Sequence, residues 1–222
     1  MAITEIVERL DRSVSTHRLL DHPFYQAWTE GTLSREDLRF YAGQYWRQVE
    51  AFPGYLEAVA ERLPDSDAKV SVLDNLADER DDDHPALWLQ FAEALGAARG
   101  EVTSAAAEHE TQACVQTFTR GASDRSTLFA LGMLYGYESQ TPEVSATKIA
   151  GLKAHYNVDG QGLDYFELHG ELDVEHSYDL AAAIDELATD EDDLVEAEEG
   201  AMIGAQAIRG LLDGVARVRA IA

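Results

Sequence analysis

Tyr165-Phe166-Glu167-Leu168-His169-Gly170-Glu171-Leu172-Asp173-Val174-Glu175-His176 carries the pattern around which the chain is organised. As a helix, it places His169, Asp173 and His176 at i, i+4 and i+7, so the three side chains leave one face on successive turns. Tyr165 extends the stripe one turn earlier. Glu167, Glu171 and Glu175 fall on other faces while Leu168 and Leu172 flank the triplet, which favours an inward stripe over a solvated polar face. Two imidazoles and a carboxylate form half of a transition-metal site, a ligand mixture that suits iron, manganese, zinc or copper. The remaining ligands must come from other helices.

Working outward, the whole chain reads as helix. Ile3, Ile6, Val7 and Leu10 keep helical spacing at the start, and Pro23 opens a short aromatic helix behind Asp21-His22. Ser34 with Asp37 predicts an N-cap, followed by a long helix to about Arg62 on which Leu38, Tyr41, Tyr45, Val49, Phe52, Leu56 and Val59 recur, with Pro53 as its kink. Asp65-Ser66-Asp67 caps the next helix, expected to turn Val70, Leu73, Leu76 and Ala77 inward and to end near Glu79. The acidic turn Asp81-Asp82-Asp83-His84-Pro85 leads into a helix ending at Leu95-Gly96. One helix is predicted from Glu101 to about Arg120, another capped by Ser123-Asp124 and running from Leu128 to Tyr137, and a third opened by Thr141-Pro142-Glu143. A turn at Asn157-Val158-Asp159-Gly160 precedes Asp164 to about Thr189, and Glu191 begins the last helix. Nothing alternates with period two, so the expectation is an all-α bundle of about eight or more helices forming a single domain over residues 1–222.

The charge narrows the partners. Forty-two acidic residues against 17 basic ones give a formal net charge of −25, a field that repels nucleic acid and anionic membrane. Lys69, Lys148 and Lys153 are the only lysines, and arginine carries the rest of the positive charge. High acid with scarce lysine is the composition of a protein that stays soluble in concentrated salt, where repulsion is screened within ~3 Å at 1 M, so a halophilic source is expected. A single Cys114 agrees with a reducing cytoplasm. The opening residues are amphipathic rather than a basic leader plus a long apolar run, and no stretch approaches the roughly 20 consecutive apolar residues of a membrane span.

Three further positions have ligand chemistry. Glu79 ends its helix, His84 follows across the acidic turn, and Glu138 lies in Leu134-Tyr135-Gly136-Tyr137-Glu138-Ser139, where apolar neighbours carry its carboxylate into the interior. An unpaired buried charge there is costly, and a cation would neutralise it. With His169, Asp173 and His176 these make three carboxylates and three imidazoles, a set that can hold two metal ions in a bundle core. His84 could instead cap the helix that Pro85 begins. His17, His22, His109 and His155 read as surface or capping residues, and Cys114 as a small buried hydrophobe.

Asn75-Leu76-Ala77-Asp78-Glu79 with His84 beyond, then Tyr137-Glu138, then His169-x3-Asp173-x2-His176, resembles the haem-oxygenase-like di-metal oxidases of the TenA/PqqC-like fold. Within them the chain looks most like the CADD-type proteins that supply para-aminobenzoate for folate synthesis. Asp21-His22-Pro23-Phe24-Tyr25 and Tyr41-Ala42-Gly43-Gln44-Tyr45-Trp46 extend the likeness over nearly the whole chain. The gap between Glu79 and His84 is shorter than that pattern leads one to expect.

The resemblance implies a dioxygen-using oxidoreductase with two metal ions, iron and/or manganese, at Glu79, His84, Glu138, His169, Asp173 and His176. It implies that Tyr25 is converted into para-aminobenzoate, that Lys148 donates the amino nitrogen, and that Tyr41, Tyr137 and Tyr165 line the site. A homodimer is implied with it. The residues add support of their own: Tyr165 lies one turn from His169, and a lysine buried in an apolar pocket near cations is held as a free amine; Lys153 shares the neighbourhood in sequence. An oxidase acting on an external small molecule, a thiaminase-like hydrolase using Cys114 and a non-catalytic protein on the same scaffold are the alternatives.

Overall fold

The structure, a computed structural model, describes residues 3–81 and 83–222. Asp82, expected in the acidic turn, lies outside the described residues, as do Met1 and Ala2. Among the described residues there are eleven α-helices and no strand. In chain order they are α1 (Ile3–Val14), α2 (Pro23–Glu30), α3 (Arg35–Arg62), α4 (Asp67–Asp81), α5 (His84–Ala94), α6 (Arg99–Ser104), α7 (His109–Asp124), α8 (Thr127–Glu138), α9 (Thr141–His155), α10 (Asp164–Leu187) and α11 (Glu191–Arg219). None of them is long and apolar enough to cross a membrane.

The starts follow the local chemistry. His22 caps α2 by accepting from the Phe24 N–H, with Pro23 at the first helical position. Ser34 and Asp37 form a reciprocal capping box at α3, which runs on through Pro53. Buried apolar residues from nearly every helix join one continuous core.

α8 and α11 pack backbone against backbone. A Cβ added at Gly132 would stand 2.0 Å from the Ala197 carbonyl oxygen, and one at Gly200 would stand 2.0 Å from that of Phe129. Gly136 and Gly204 meet Ala201 and Met133 in the same way. Each helix therefore carries two glycines four residues apart, and the backbones touch where side chains would hold them apart. This locks the end of α8, and with it Glu138, into the interior.

Three expectations need correction. On α4 it is Ala68, Val72, Asn75, Leu76 and Glu79 that face inward, whereas Val70 and Leu73 are exposed and so is Ala77. The helix is rotated so that Asn75 and Glu79 reach the centre, and polar groups with partners there override the apolar stripe. The helix expected from Glu101 to Arg120 is broken at Ala105–Glu108 despite its alanines. Buried Gln44 captures that segment, donating to the Ala106 carbonyl at 3.0 Å and accepting from the Glu108 N–H and the Thr111 hydroxyl at 2.8 Å each. Finally, α8 is capped by Ser126, whose hydroxyl accepts from the Phe129 N–H, because α7 continues through Ser123 and Asp124 until Arg62 donates to its last carbonyls at Ala122 and Arg125.

Candidate metal centre and aromatic chamber

α10 turns Tyr165, His169, Asp173 and His176 into the interior and leaves Glu167, Glu171 and Glu175 exposed. Glu79 from the end of α4, His84 from the start of α5 and Glu138 from the end of α8 are buried beside them. All six expected ligands come from the four helices that meet there.

Glu79, His84 and His169 form the tighter half, with one donor atom from each lying within 4.8 Å of the other two. His84 Nδ1 is 2.8 Å from Glu79 Oε2, and His169 Nε2 is 3.8 Å from Glu79 Oε1. The 2.8 Å approach is not aligned as a hydrogen bond, and neither nitrogen of the buried His84 ring has a hydrogen-bond partner. The short gap after Glu79 is what allows this. α4 stops, Asp83 takes a left-handed conformation and caps α5 with its own carboxylate, and His84 is left free to face Glu79 rather than serving as the cap.

Glu138, Asp173 and His176 form the other half. Asn75 donates to Glu138 Oε1 at 2.9 Å, while Glu138 Oε2 and Asp173 Oδ2 are buried with no partner. His176 Nδ1 stands 3.5 Å from Asp173 Oδ1, and its Nε2 is 3.1 Å from Asp78 Oδ2.

The electrostatics record the crowding. Burial pushes Glu79 up, yet the facing imidazoles of His169 and His84 more than reverse this and hold it near 2. Burial lowers His176, but Asp173, Glu138 and Asp78 outweigh it and bring it to about 9. His169 is raised against burial by Glu79 and Asp173. Glu138 is raised, by burial first and then by the negative Asp173 beside it. Buried oxygens and nitrogens left without partners are what a cation satisfies, and this mixture of carboxylate and imidazole fits iron, manganese or zinc.

A second chamber adjoins this one. Lys148 on α9 is buried with its Nζ 4.9 Å from the ring centroid of Phe166, 5.2 Å from Tyr45, 5.4 Å from Tyr41, 5.6 Å from Tyr25 and 5.9 Å from Trp88. Burial alone brings the amine from 10.5 to about 7, so the free base is well populated at neutral pH. The Tyr25 and Tyr41 phenols are pushed up by the same burial. Rings connect the two chambers: Tyr165 stacks on His169 at 4.1 Å and meets Trp88 edge-on at 4.9 Å, and Trp88 stacks on Tyr45 at 5.0 Å. Tyr45 donates its hydroxyl to that of Tyr137 at 3.0 Å.

The structure thus brings Tyr25, Tyr41 and Lys148 together, stacks Tyr165 on the His169 ring and hydrogen-bonds Tyr137 to Tyr45. Lys153 is elsewhere, half-exposed in a surface ion pair with Glu167 at 3.6 Å. Cys114 is buried, and burial pushes its thiol up, the opposite of an activated nucleophile. Sequence reasoning passed over Tyr45, Trp88 and Phe166 as chamber walls and Asn75 and Asp78 as partners of ligands. Tyr45 stands one turn after Tyr41 and Phe166 follows Tyr165, but core aromatics have the same spacing.

A family model of iron-containing redox enzymes matches residues 39–209. A 4-aminobenzoate synthase from Nitrosomonas europaea is 37% identical over 227 residues, spanning 97% of this chain and 92% of its own. Another, from Chlamydia pneumoniae, is 37% identical over 177 residues, 79% of each chain. Among solved structures, a TenA homologue from Pseudomonas syringae superposes with a TM-score of 0.82 at 16% identity, covering 96% of this chain and 93% of its own, and so has the same fold. The chain belongs to the iron-containing redox enzyme family of haem-oxygenase-like fold, with the 4-aminobenzoate synthases among its relatives.

Proposed function

We propose that this oxidoreductase forms 4-aminobenzoate from its own side chains, taking the ring of Tyr25 and the nitrogen of Lys148. The relatives named 4-aminobenzoate synthase support the product. The observation that carries the source is the sealed pairing of Lys148 Nζ with the Tyr25 ring at 5.6 Å, in a space that other rings fill. A tyrosine ring with its Cβ has the carbon skeleton of 4-aminobenzoate, and its hydroxyl stands where the amine must go. Tyr25 is 1% exposed, which favours a substrate supplied by the chain over one that enters.

Glu79, His84 and His169 would hold one metal ion, and Glu138, Asp173 and His176 the other. An iron pair, or iron with manganese, bound there would supply the redox chemistry with dioxygen. The chain's own residues do the rest. Burial keeps the Lys148 lone pair available as a nucleophile. The wall of Phe166, Trp88, Tyr41 and Tyr45 excludes water and fixes the amine against Tyr25. Tyr165, stacked on His169, and Tyr137, hydrogen-bonded to Tyr45, are placed to pass an electron or proton between the ligands and the chamber.

A cytoplasmic homodimer and a high-salt habitat belong to the same reading. The acidic surface supports the habitat, and the melting temperature should rise steeply from low to molar salt; equal values would remove that part. For the function itself, protein labelled with 15N-lysine is supplied with iron, manganese, a chemical reductant and dioxygen, with no organic substrate. Free 4-aminobenzoate carrying 15N is expected. Product formed only when an external aromatic is added, or unlabelled product, would refute the self-supplied reading.

A further inference from the structure

The two imidazoles that α10 turns into the ligand set are held by opposite nitrogens. His169 Nδ1 is 2.7 Å from the Tyr165 carbonyl oxygen. A carbonyl only accepts, so Nδ1 carries the proton and Nε2, the nitrogen nearer Glu79, offers its lone pair. In His176 the arrangement is reversed. Its Nε2 meets the Asp78 carboxylate at 3.1 Å, and Nδ1 faces Asp173 at 3.5 Å, too far for a hydrogen bond. An ionised carboxylate also only accepts, so here Nε2 carries the proton and Nδ1 is the nitrogen on the Asp173 side, in the half-site where Asp173 Oδ2 and Glu138 Oε2 are buried without partners.

We infer that Asp78 is the positioning residue of the second half-site: by holding Nε2–H of His176 it presents Nδ1 to an ion shared with Glu138 and Asp173, whereas His169 presents Nε2 to the first ion. This rests on the metal-pair reading above. On binding, the ion takes the Nδ1 lone pair, any proton on Nδ1 leaves to solvent, and Nε2–H stays on Asp78. The side chain of Asp78 is 45% exposed and that of His176 only 8%, so one residue bridges the surface and a buried ligand. An exposed ion pair taken alone contributes little to stability, but the outer partner of a metal-bound imidazole typically governs about 10- to 100-fold in metal affinity.

The test is anaerobic calorimetric titration of full-length metal-free protein with iron(II), comparing parent, Asp78→Ala, Asp78→Asn and Asp81→Ala. Asp81 is exposed at the end of α4, and its variant removes the same charge without touching His176. Asp78→Ala should leave the first ion unchanged and weaken the second by about 10- to 100-fold, Asp78→Asn should recover part of the loss because its amide oxygen still accepts, and Asp81→Ala should behave as the parent. Imidazole 15N spectra of the zinc-loaded parent should show His176 protonated at Nε2 and His169 protonated at Nδ1. Two ions bound with unchanged affinities in Asp78→Ala, equal losses in Asp78→Ala and Asp81→Ala, or a zinc form with His176 protonated at Nδ1, would overturn the role of Asp78 while leaving the metal pair standing. A parent that takes up only one ion would overturn both.

Discussion

Two buried chambers lie side by side in this protein and treat charge in opposite ways. Around α4, α5, α8 and α10, three carboxylates and three imidazoles crowd together and shift one another's proton affinities in both directions. Around Lys148 a single amine lies among rings, and burial is the one cause of its shift. The first chamber has charges that an added cation would reconcile. The second has no such remedy, and burial there favours the neutral amine instead. Charge gathered for binding and charge suppressed for reactivity thus leave different signatures, although both are equally hidden from water.

Removing the suppressed charge tests the contrast most strongly. Lys148 falls from 10.5 to about 7 on folding, which at ~1.4 kcal/mol per tenfold change in proton affinity is a folding cost of about 5 kcal/mol. The cost is full below pH 7, declines as pH rises and is gone above 10.5. Lys148→Met should therefore melt well above the parent at neutral pH, lose that advantage in alkali and make no 4-aminobenzoate. An equal gain at all pH values would assign the effect to packing.

Glu138→Gln probes the other chamber with a smaller effect whose sign should invert. Without metal, the parent's contribution from Glu138 is present below the ordinary carboxyl value of 4.5 and is lost as pH rises through its raised folded value. Under alkaline conditions the metal-free variant, which cannot ionise, should be more stable by about 2 kcal/mol. With iron(II) or manganese(II) the order should reverse, because the parent then gains a ligand. The same order in both states would break the comparison. Lys153→Ala marks the lower end: its exposed pair with Glu167 should be worth less than ~0.5 kcal/mol, with product formation untouched, and any loss of product would blur the distinction between the two lysines of α9.

The sequence made some of this visible. The α10 triplet could be found because its ligands share a helical face with their spacing unbroken, and Glu138 because everything near it is apolar. The orientation of α4 could not, since Val70, Leu73 and Ala77 form a stripe as plausible as the true one, and only the convergence of Asn75 and Glu79 on residues distant in sequence turns the helix. The break after α6 depends on Gln44, more than sixty positions away from Glu108 in contact but not in pattern. The glycines that seat α8 against α11 read as ordinary helix residues until the partner backbone is beside them. Tyr45, Trp88 and Phe166 become chamber walls only because Lys148 points among them.

If the chain supplies both ring and nitrogen, its own mass must change. After reaction with iron, manganese, reductant and dioxygen, peptides containing Tyr25 and Lys148 are compared with those of protein kept under nitrogen. Loss of the aromatic side chain at Tyr25 and altered mass at Lys148 are expected, in step with the 4-aminobenzoate released. Product accumulating while both peptides remain intact would contradict the self-supplied origin.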